Sequence, residues 1–157
     1  TYNGAVKTPI VTVKNASGTT LTKDTHYTVD YAPGRKNVGT YKVTIKMKGN
    51  YTGTKTLTFK INPAATSVSS LVKGTKKITV NIKKKSTQIT GYQVQYSTSK
   101  KFTNAKIKTV SSYKTTKVTL SGLKAKTTYY VRVRTYKKVG KTTYYSGWST
   151  YKYTKTK

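Results

Sequence analysis

Leu120-Ser121-Gly122-Leu123-Lys124-Ala125-Lys126-Thr127-Thr128-Tyr129-Tyr130-Val131-Arg132-Val133 is the stretch whose reading decides the fold. Val118 and Leu120 close one apolar/polar alternation, Gly122-Leu123 punctuates it, and Tyr129, Val131 and Val133 open another. A repeat of two is the strand period, because successive side chains point to opposite faces of a sheet. With Tyr129, Val131 and Val133 turned inward, Tyr130, Arg132, Arg134 and Tyr136 face outward on the same strand.

The same period runs outward in both directions. Ile78, Val80 and Ile82 form one strand, Tyr92, Val94 and Tyr96 the next, and a last strand is expected from about Trp148 to Tyr153. Toward the N-terminus, Val11 and Val13, then Tyr27, Val29 and Tyr31, then Tyr41, Val43, Ile45 and Met47, then Leu57, Phe59 and Ile61 alternate with Thr and Lys. Turn residues separate the runs: Asn15-Ala16-Ser17-Gly18, Pro33-Gly34, Gly49-Asn50 and Gly53. No stretch carries a helical period. Asn62-Pro63-Ala64-Ala65-Thr66 has no charge and breaks the alternation, so residues 63–65 read as a linker between modules 1–62 and 66–157. Pro63 holds the preceding Asn62 extended.

Composition supports strands over disorder. The chain has 157 residues, fifteen Tyr, abundant Val, Ile and Thr, and 34% hydrophobic residues, which is a strand-forming mixture. There is no Cys, so neither disulfide nor thiol chemistry is available. No run has the apolar length of a membrane span, and no membrane insertion is expected. The chain opens at Thr1-Tyr2-Asn3-Gly4, without Met or a signal peptide, and reads as a fragment of a longer protein.

Charge is the dominant bulk property. Thirty-two Lys and Arg stand against two acids, Asp24 and Asp30, for a net charge of +30. Residues 1–62 hold ten of the cations and both acids; residues 63–157 hold the other twenty-two cations and no acidic side chain. Such a surface attracts polyanions. It also removes chemistry. Glycosidase-type catalysis needs paired carboxylates, calcium needs several, and structural zinc needs a His/Cys set. Asp24, His26 and Thr28 would share one strand face, but no activated Ser or oxyanion site accompanies them. No catalytic residue, metal ligand or cofactor is expected.

Two resemblances follow from these residues. The Leu120–Val133 stretch is similar to the E–F corner and F strand of fibronectin type III domains, and Gly91-Tyr92-Gln93-Val94-Gln95-Tyr96-Ser97-Thr98-Ser99 to strand C of bacterial members. The resemblance implies that Tyr129 is the tyrosine-corner residue, its ring buried and its hydroxyl bonded to upstream backbone. Strand B of that family offers a core Trp where this chain has Ile82, implying a smaller core and lower stability. Tyr2-Asn3-Gly4, Asp24–Val29, Asn37-Val38-Gly39-Thr40-Tyr41 and Gly49–Gly53 resemble an immunoglobulin-like repeat of Gram-positive surface proteins, its first strand clipped. The fold expected is all-β: two tandem β-sandwich modules, immunoglobulin-like then fibronectin type III-like.

Two readings compete for the outward stripe. Tyr130, Arg132, Arg134 and Tyr136 would clamp phosphate, sulfate or sugar-acid groups, with rings free to stack on sugars or bases. Alternatively, Tyr145-Ser146-Gly147-Trp148-Ser149 resembles the WSxWS element of cytokine-receptor fibronectin domains, which implies a structural stack of Arg132 and Arg134 on Trp148 with Tyr145 in the first Trp position. The structural ladder is preferred. Lys83-Lys84-Lys85 is a further polyanion candidate, against the alternative that such clusters solvate turns and edges. No nucleic-acid reading motif occurs, so DNA or RNA would bind only non-specifically at low salt.

The expected function is that of a non-catalytic spacer and electrostatic adhesin at a bacterial surface or cell wall. Its partners would be teichoic acid, acidic host glycans or glycosaminoglycan. Specific recognition of a host protein, including immunoglobulins, and a pure spacer role within a large extracellular enzyme are the alternatives.

Overall fold

A computed structural model describes residues 1–157, which divide into two compact units, Tyr2–Ile61 and Asn62–Lys157. All regular structure is strand, in eleven elements. No helix is long and apolar enough to cross a membrane, and no cluster of three or more His, Cys, Asp or Glu is present.

The first unit is a three-stranded antiparallel sheet of β1 (Tyr27–Tyr31), β2 (Gly39–Met47) and β3 (Thr54–Ile61), in that order. Tyr27 and Ile45 turn to one face, where Leu21 joins them and Val11, Val13, Val29 and Met47 pack around. That face is therefore covered by irregular chain, and the expected strand at Val11 and Val13 does not form. The covering segment makes one isolated bridge, Lys14 to Thr20. Its carbonyls are occupied otherwise: the Tyr27 hydroxyl donates to Val11 O at 3.1 Å and the Tyr31 hydroxyl to Pro9 O, and Pro9 has no N–H to offer a ladder. At the edge of this sheet, β3 leaves Leu57 46% exposed.

A second expectation also fails here. Asp24, His26 and Thr28 do not share a strand face, because Asp24 sits in a turn at φ 68° and β1 starts at Tyr27. His26 uses Nδ1 to accept the Thr22 amide at 2.9 Å and sets its ring edge-on to Tyr51 at 5.5 Å.

The second unit is a two-layer sandwich. One layer is β4 (Val68–Gly74), β5 (Lys77–Ile82) and β8 (Lys117–Leu120), in that order. The other runs β10 (Thr142–Tyr145), β9 (Thr128–Val139), β6 (Gly91–Ser97), β7 (Lys106–Val110), with β11 (Lys152–Lys155) also pairing β9. Val68, Ile78, Val80, Ile82, Val118 and Leu120 from the first layer meet Tyr92, Val94, Val110, Tyr129, Val131 and Val133 from the second to make the core. Strands β4, β7 and β10 lie where the periodicity gave no clear signal, and β11 starts later than expected.

Ile82 is buried, but it is not the principal core plug. That place belongs to Tyr92, the largest fully buried side chain. Its hydroxyl accepts the Lys85 amide at 3.0 Å and lies 3.0 and 3.1 Å from the carbonyl oxygens of Lys85 and Tyr113, so the ring's polar end is satisfied inside the sandwich. Gly91 precedes it for a steric reason. A Cβ at Gly91 would stand 2.0 Å from Val110 O.

The segment expected to be a linker belongs to this unit. Pro63 is fully buried, Ala64 O accepts the Thr135 hydroxyl at 2.8 Å, and Thr66 Oγ1 donates to Lys83 O.

Candidate functional site: an arginine–aromatic ladder on the outer sheet face

The site lies on the solvent side of the β10-β9-β6-β7 layer. Along β9 the even-numbered residues from Tyr130 face outward, while Tyr129, Val131 and Val133 are buried. Register places Gln95 of β6 opposite Arg132 and Gln93 opposite Arg134, and Tyr153 of β11 opposite Tyr130.

The two guanidinium groups are interleaved with rings. Arg132 lies 4.0 Å from the Phe102 centroid and 5.1 Å from that of Trp148; Arg134 lies 4.3 Å from Trp148 and 4.0 Å from Tyr145. The resulting order is Phe102–Arg132–Trp148–Arg134–Tyr145. A guanidinium over an aromatic face is attracted by the ring quadrupole, at about 0.5–1 kcal/mol where exposed and about 2 where desolvated. Arg132 Nε donates to Gln95 Oε1 at 2.6 Å, and Arg134 Nε and Nη2 donate to Gln93 Oε1 at 2.9 and 2.8 Å. These acceptors are neutral amides. Burial lowers the pKa of both guanidiniums, and the neighbouring Arg132 lowers that of Arg134 further while Tyr145 raises it. Both remain cations at neutral pH, with no carboxylate to balance them.

Two serines hold Trp148 in place. Between β10 and β11, Ser146 donates its amide to Thr135 O at 3.1 Å and accepts the Thr135 amide on Oγ at 3.0 Å. Ser149 repeats the device on Val133, at 2.8 Å and 3.1 Å. Side-chain oxygens thus replace strand carbonyls beside β9, and the Gly147-Trp148 pair between them places the indole over the arginines.

The ladder's other end is closed by Phe102, which adopts φ 58°, a costly conformation for a bulky residue. Its turn is tied by Ser97 Oγ to Thr103 O at 2.8 Å, by the Ser99 amide to Ser97 Oγ at 3.0 Å and by the Phe102 amide to Ser99 O at 2.9 Å. These bonds and the stack on Arg132 offset the strain.

The structure thus brings Arg132, Arg134, Trp148 and Tyr145 together, with Tyr130 half-buried beside them. Tyr136 is a correction. It shares their face but is only 3% exposed, because it lies opposite Gly91, which has no side chain to lift the ring, and against Tyr145 at 6.3 Å. It offers no free ring to a ligand, and burial, reinforced by Tyr145, pushes its phenol pKa up. Lys83, Lys84 and Lys85 sit on the β5–β6 loop, where no hydrogen bond or ring contact joins them to the ladder, and they stand as a separate candidate. Tyr129 is buried, and its hydroxyl accepts the Lys124 amide at 3.0 Å, which is the tyrosine-corner bond. A cleft of about 400 Å³ lies elsewhere, between Tyr96, Ser99, Asn104, Lys106, Ser121 and Tyr129.

Three features were missed in the sequence: Phe102, the serine braces and the glutamine acceptors. The last was recoverable. Gln93 and Gln95 are spaced by two, like Arg132 and Arg134, so antiparallel pairing of the two strands puts each amide opposite a guanidinium.

Comparison with solved structures agrees with this fold. The chain is similar to the FN1–FN3 domains of chicken CNTN1, at TM-score 0.53 and 22% identity, over 76% of this chain and 43% of that one. Domains A168–A170 of titin are a looser match, at TM-score 0.45 and 20% identity, over 94% of this chain and 54% of that one, and too loose to bear on the fold. The chain thus spans about half or less of these longer arrays. No curated protein matches the sequence significantly. Residues 62–151 match the fibronectin type III domain, and with the corner tyrosine and the two-layer sandwich in place, the chain belongs to the fibronectin type III family.

Proposed function

We propose that this chain is a non-catalytic extracellular spacer of a bacterial surface protein that also adheres electrostatically to anionic polymers. One observation carries the reading: residues 63–157 hold twenty-two cations and no acidic side chain, and the arginine pair among them donates to glutamines instead of carboxylates. Their charge is left uncompensated and faces solvent. Fibronectin type III domains are in general non-catalytic binding or spacer modules, which agrees with both halves of the proposal. The sequence resemblance of residues 1–62 to a Gram-positive immunoglobulin-like repeat supports the bacterial surface. Anionic wall polymers and acidic glycans are the abundant polyanions there.

The test is retention of the chain on immobilised teichoic acid and heparin across a salt gradient. The proposal expects binding at about 0.15 M salt that weakens steeply as salt rises. Elution from every polyanion below that salt leaves the spacer alone. Affinity for one host protein that persists at about 0.5 M salt, where exposed charges are largely screened, favours specific recognition instead.

A further inference from the structure

Beyond Phe102 the ladder does not stop. Tyr151 lies 6.2 Å from the Phe102 ring, Tyr130 meets Tyr151 edge-on at 5.5 Å, and Tyr153 lies 5.7 Å from Tyr130. Tyr153 is 66% exposed and Tyr151 36%, unusual exposure for large aromatic rings gathered in one place. The hydroxyls of Tyr130, Tyr151 and Tyr153 make no hydrogen bond within the molecule, unlike those of Tyr27, Tyr92 and Tyr129. Arg132 spends only Nε on Gln95, so both of its terminal nitrogens remain as donors. Lys155 pairs with Thr128 in the register that puts Tyr153 opposite Tyr130, and adds an exposed cation on the same face.

We propose that this corner is a binding site for an acidic pyranose, the repeating unit of a uronic-acid polysaccharide. The open face of Tyr153 takes the C–H face of a sugar ring. The free phenol hydroxyls meet its hydroxyl groups, and the terminal nitrogens of Arg132 donate to its planar carboxylate. Charge complementarity fixes the sign of the ligand, and the rings distinguish its kind. A polyphosphate or a polyol-phosphate chain satisfies the cations but has no apolar face to lay on tyrosine. Single-stranded nucleic acid needs successive parallel platforms for its bases, whereas Tyr130 and Tyr151 stand at 81° to each other. The inference rests on the polyanion reading above and narrows it to one chemical class and one corner of the domain.

The experiment compares binding of the full chain to polygalacturonate, to long-chain polyphosphate and to oligo(dT), at matched charge concentration and about 0.15 M salt. It is repeated with Tyr151→Ala plus Tyr153→Ala. Both tyrosines are exposed, so the domain keeps its fold, which Trp148 fluorescence verifies. The wild type is expected to prefer polygalacturonate, and the double variant to lose about tenfold or more of that affinity, the scale of a stacked ring, while polyphosphate binding changes by less than about twofold. Equal loss on all three polymers, no loss on any, or a tyrosine-dependent preference for oligo(dT) overturns the inference yet leaves the electrostatic reading standing. Absence of binding to all three overturns both.

Discussion

Truncating Trp148 to Ala should unfasten the outer face of the second unit. The indole stands between two guanidiniums, at 5.1 Å from Arg132 and 4.3 Å from Arg134, and the loss of two such contacts costs about 1–2 kcal/mol. Trp148 is partly buried, and returning on the order of 100 Å² of its surface to water costs about 2.5 kcal/mol more at about 25 cal/mol per Å². The total, about 4 kcal/mol, is a large part of the stability of a small domain. Urea denaturation measures it. Trp148 is the single tryptophan, so wild type and Arg134→Met are followed by fluorescence and the Trp148→Ala proteins by circular dichroism. A double-mutant cycle with Arg134→Met, which keeps the aliphatic stem, isolates the 4.3 Å contact and should return a coupling of about 0.5–1 kcal/mol. A loss below about 1 kcal/mol for Trp148→Ala, or no coupling, would refute the ladder as a stabilising element.

Other expectations follow from the same structure. Gly91→Ala drives a methyl into Val110 O and should cost about 2–3 kcal/mol or prevent folding, seen as a lowered urea midpoint; a neutral effect contradicts the close approach of β6 and β7. Both ion pairs, Lys23–Asp24 at 3.9 Å and Lys46–Asp30 at 3.3 Å, are exposed and lie in the first unit. Acidification from pH 7 to 3 should therefore leave the urea midpoint of the second unit unchanged, and a fall there would reveal a carboxylate the account lacks. Added salt, from about 0.01 to 0.2 M, should raise the melting temperature by screening the cations from one another, whereas a decrease contradicts self-repulsion. Burial raises the phenol pKa of Tyr92, partly opposed by its bond from Lys85, and that of Tyr136. The neutral phenols are favoured in the fold, so their contribution is complete below the ordinary phenol value and is lost as pH climbs through the raised ones. Absorbance at about 295 nm, where phenolate absorbs, should show these two ionising above the ordinary phenol value, and their ionisation at or below that value in the folded protein would contradict it.

Period-two alternation was enough to read the strands that face a core on one side and water on the other, such as β2, β5, β6 and β9. It was not enough for β7, whose Lys106-Ile107-Lys108-Thr109-Val110 is exposed except at Val110, because an edge strand with little buried face leaves little hydrophobic pattern. Val11 and Val13 show the converse error. They have the pattern, but pairing partners decide strand formation, and here tyrosine hydroxyls take the carbonyls that a ladder would use. At the site, Arg132, Arg134, Tyr145 and Trp148 were legible from spacing and resemblance. Tyr136 was misplaced because alternation gives a face and not the height of what stands opposite, and Gly91 stands opposite. Phe102 was invisible for a different reason. It reaches the ladder through a strained turn, and no local rule forecasts strain that distant contacts offset.

The most direct test of the central claim is to locate where a polyanion touches the domain. Heteronuclear NMR of the chain, titrated with a short uronic-acid oligosaccharide at about 0.15 M salt, reports each backbone amide and the Arg132 and Arg134 Nε–H groups separately. The account predicts saturable shifts on the outer face, at Tyr130, Arg132, Tyr151, Tyr153 and Lys155, with Lys83–Lys85 little changed. Shifts centred on the β5–β6 loop or scattered evenly over the lysines, with the ladder silent, would contradict it.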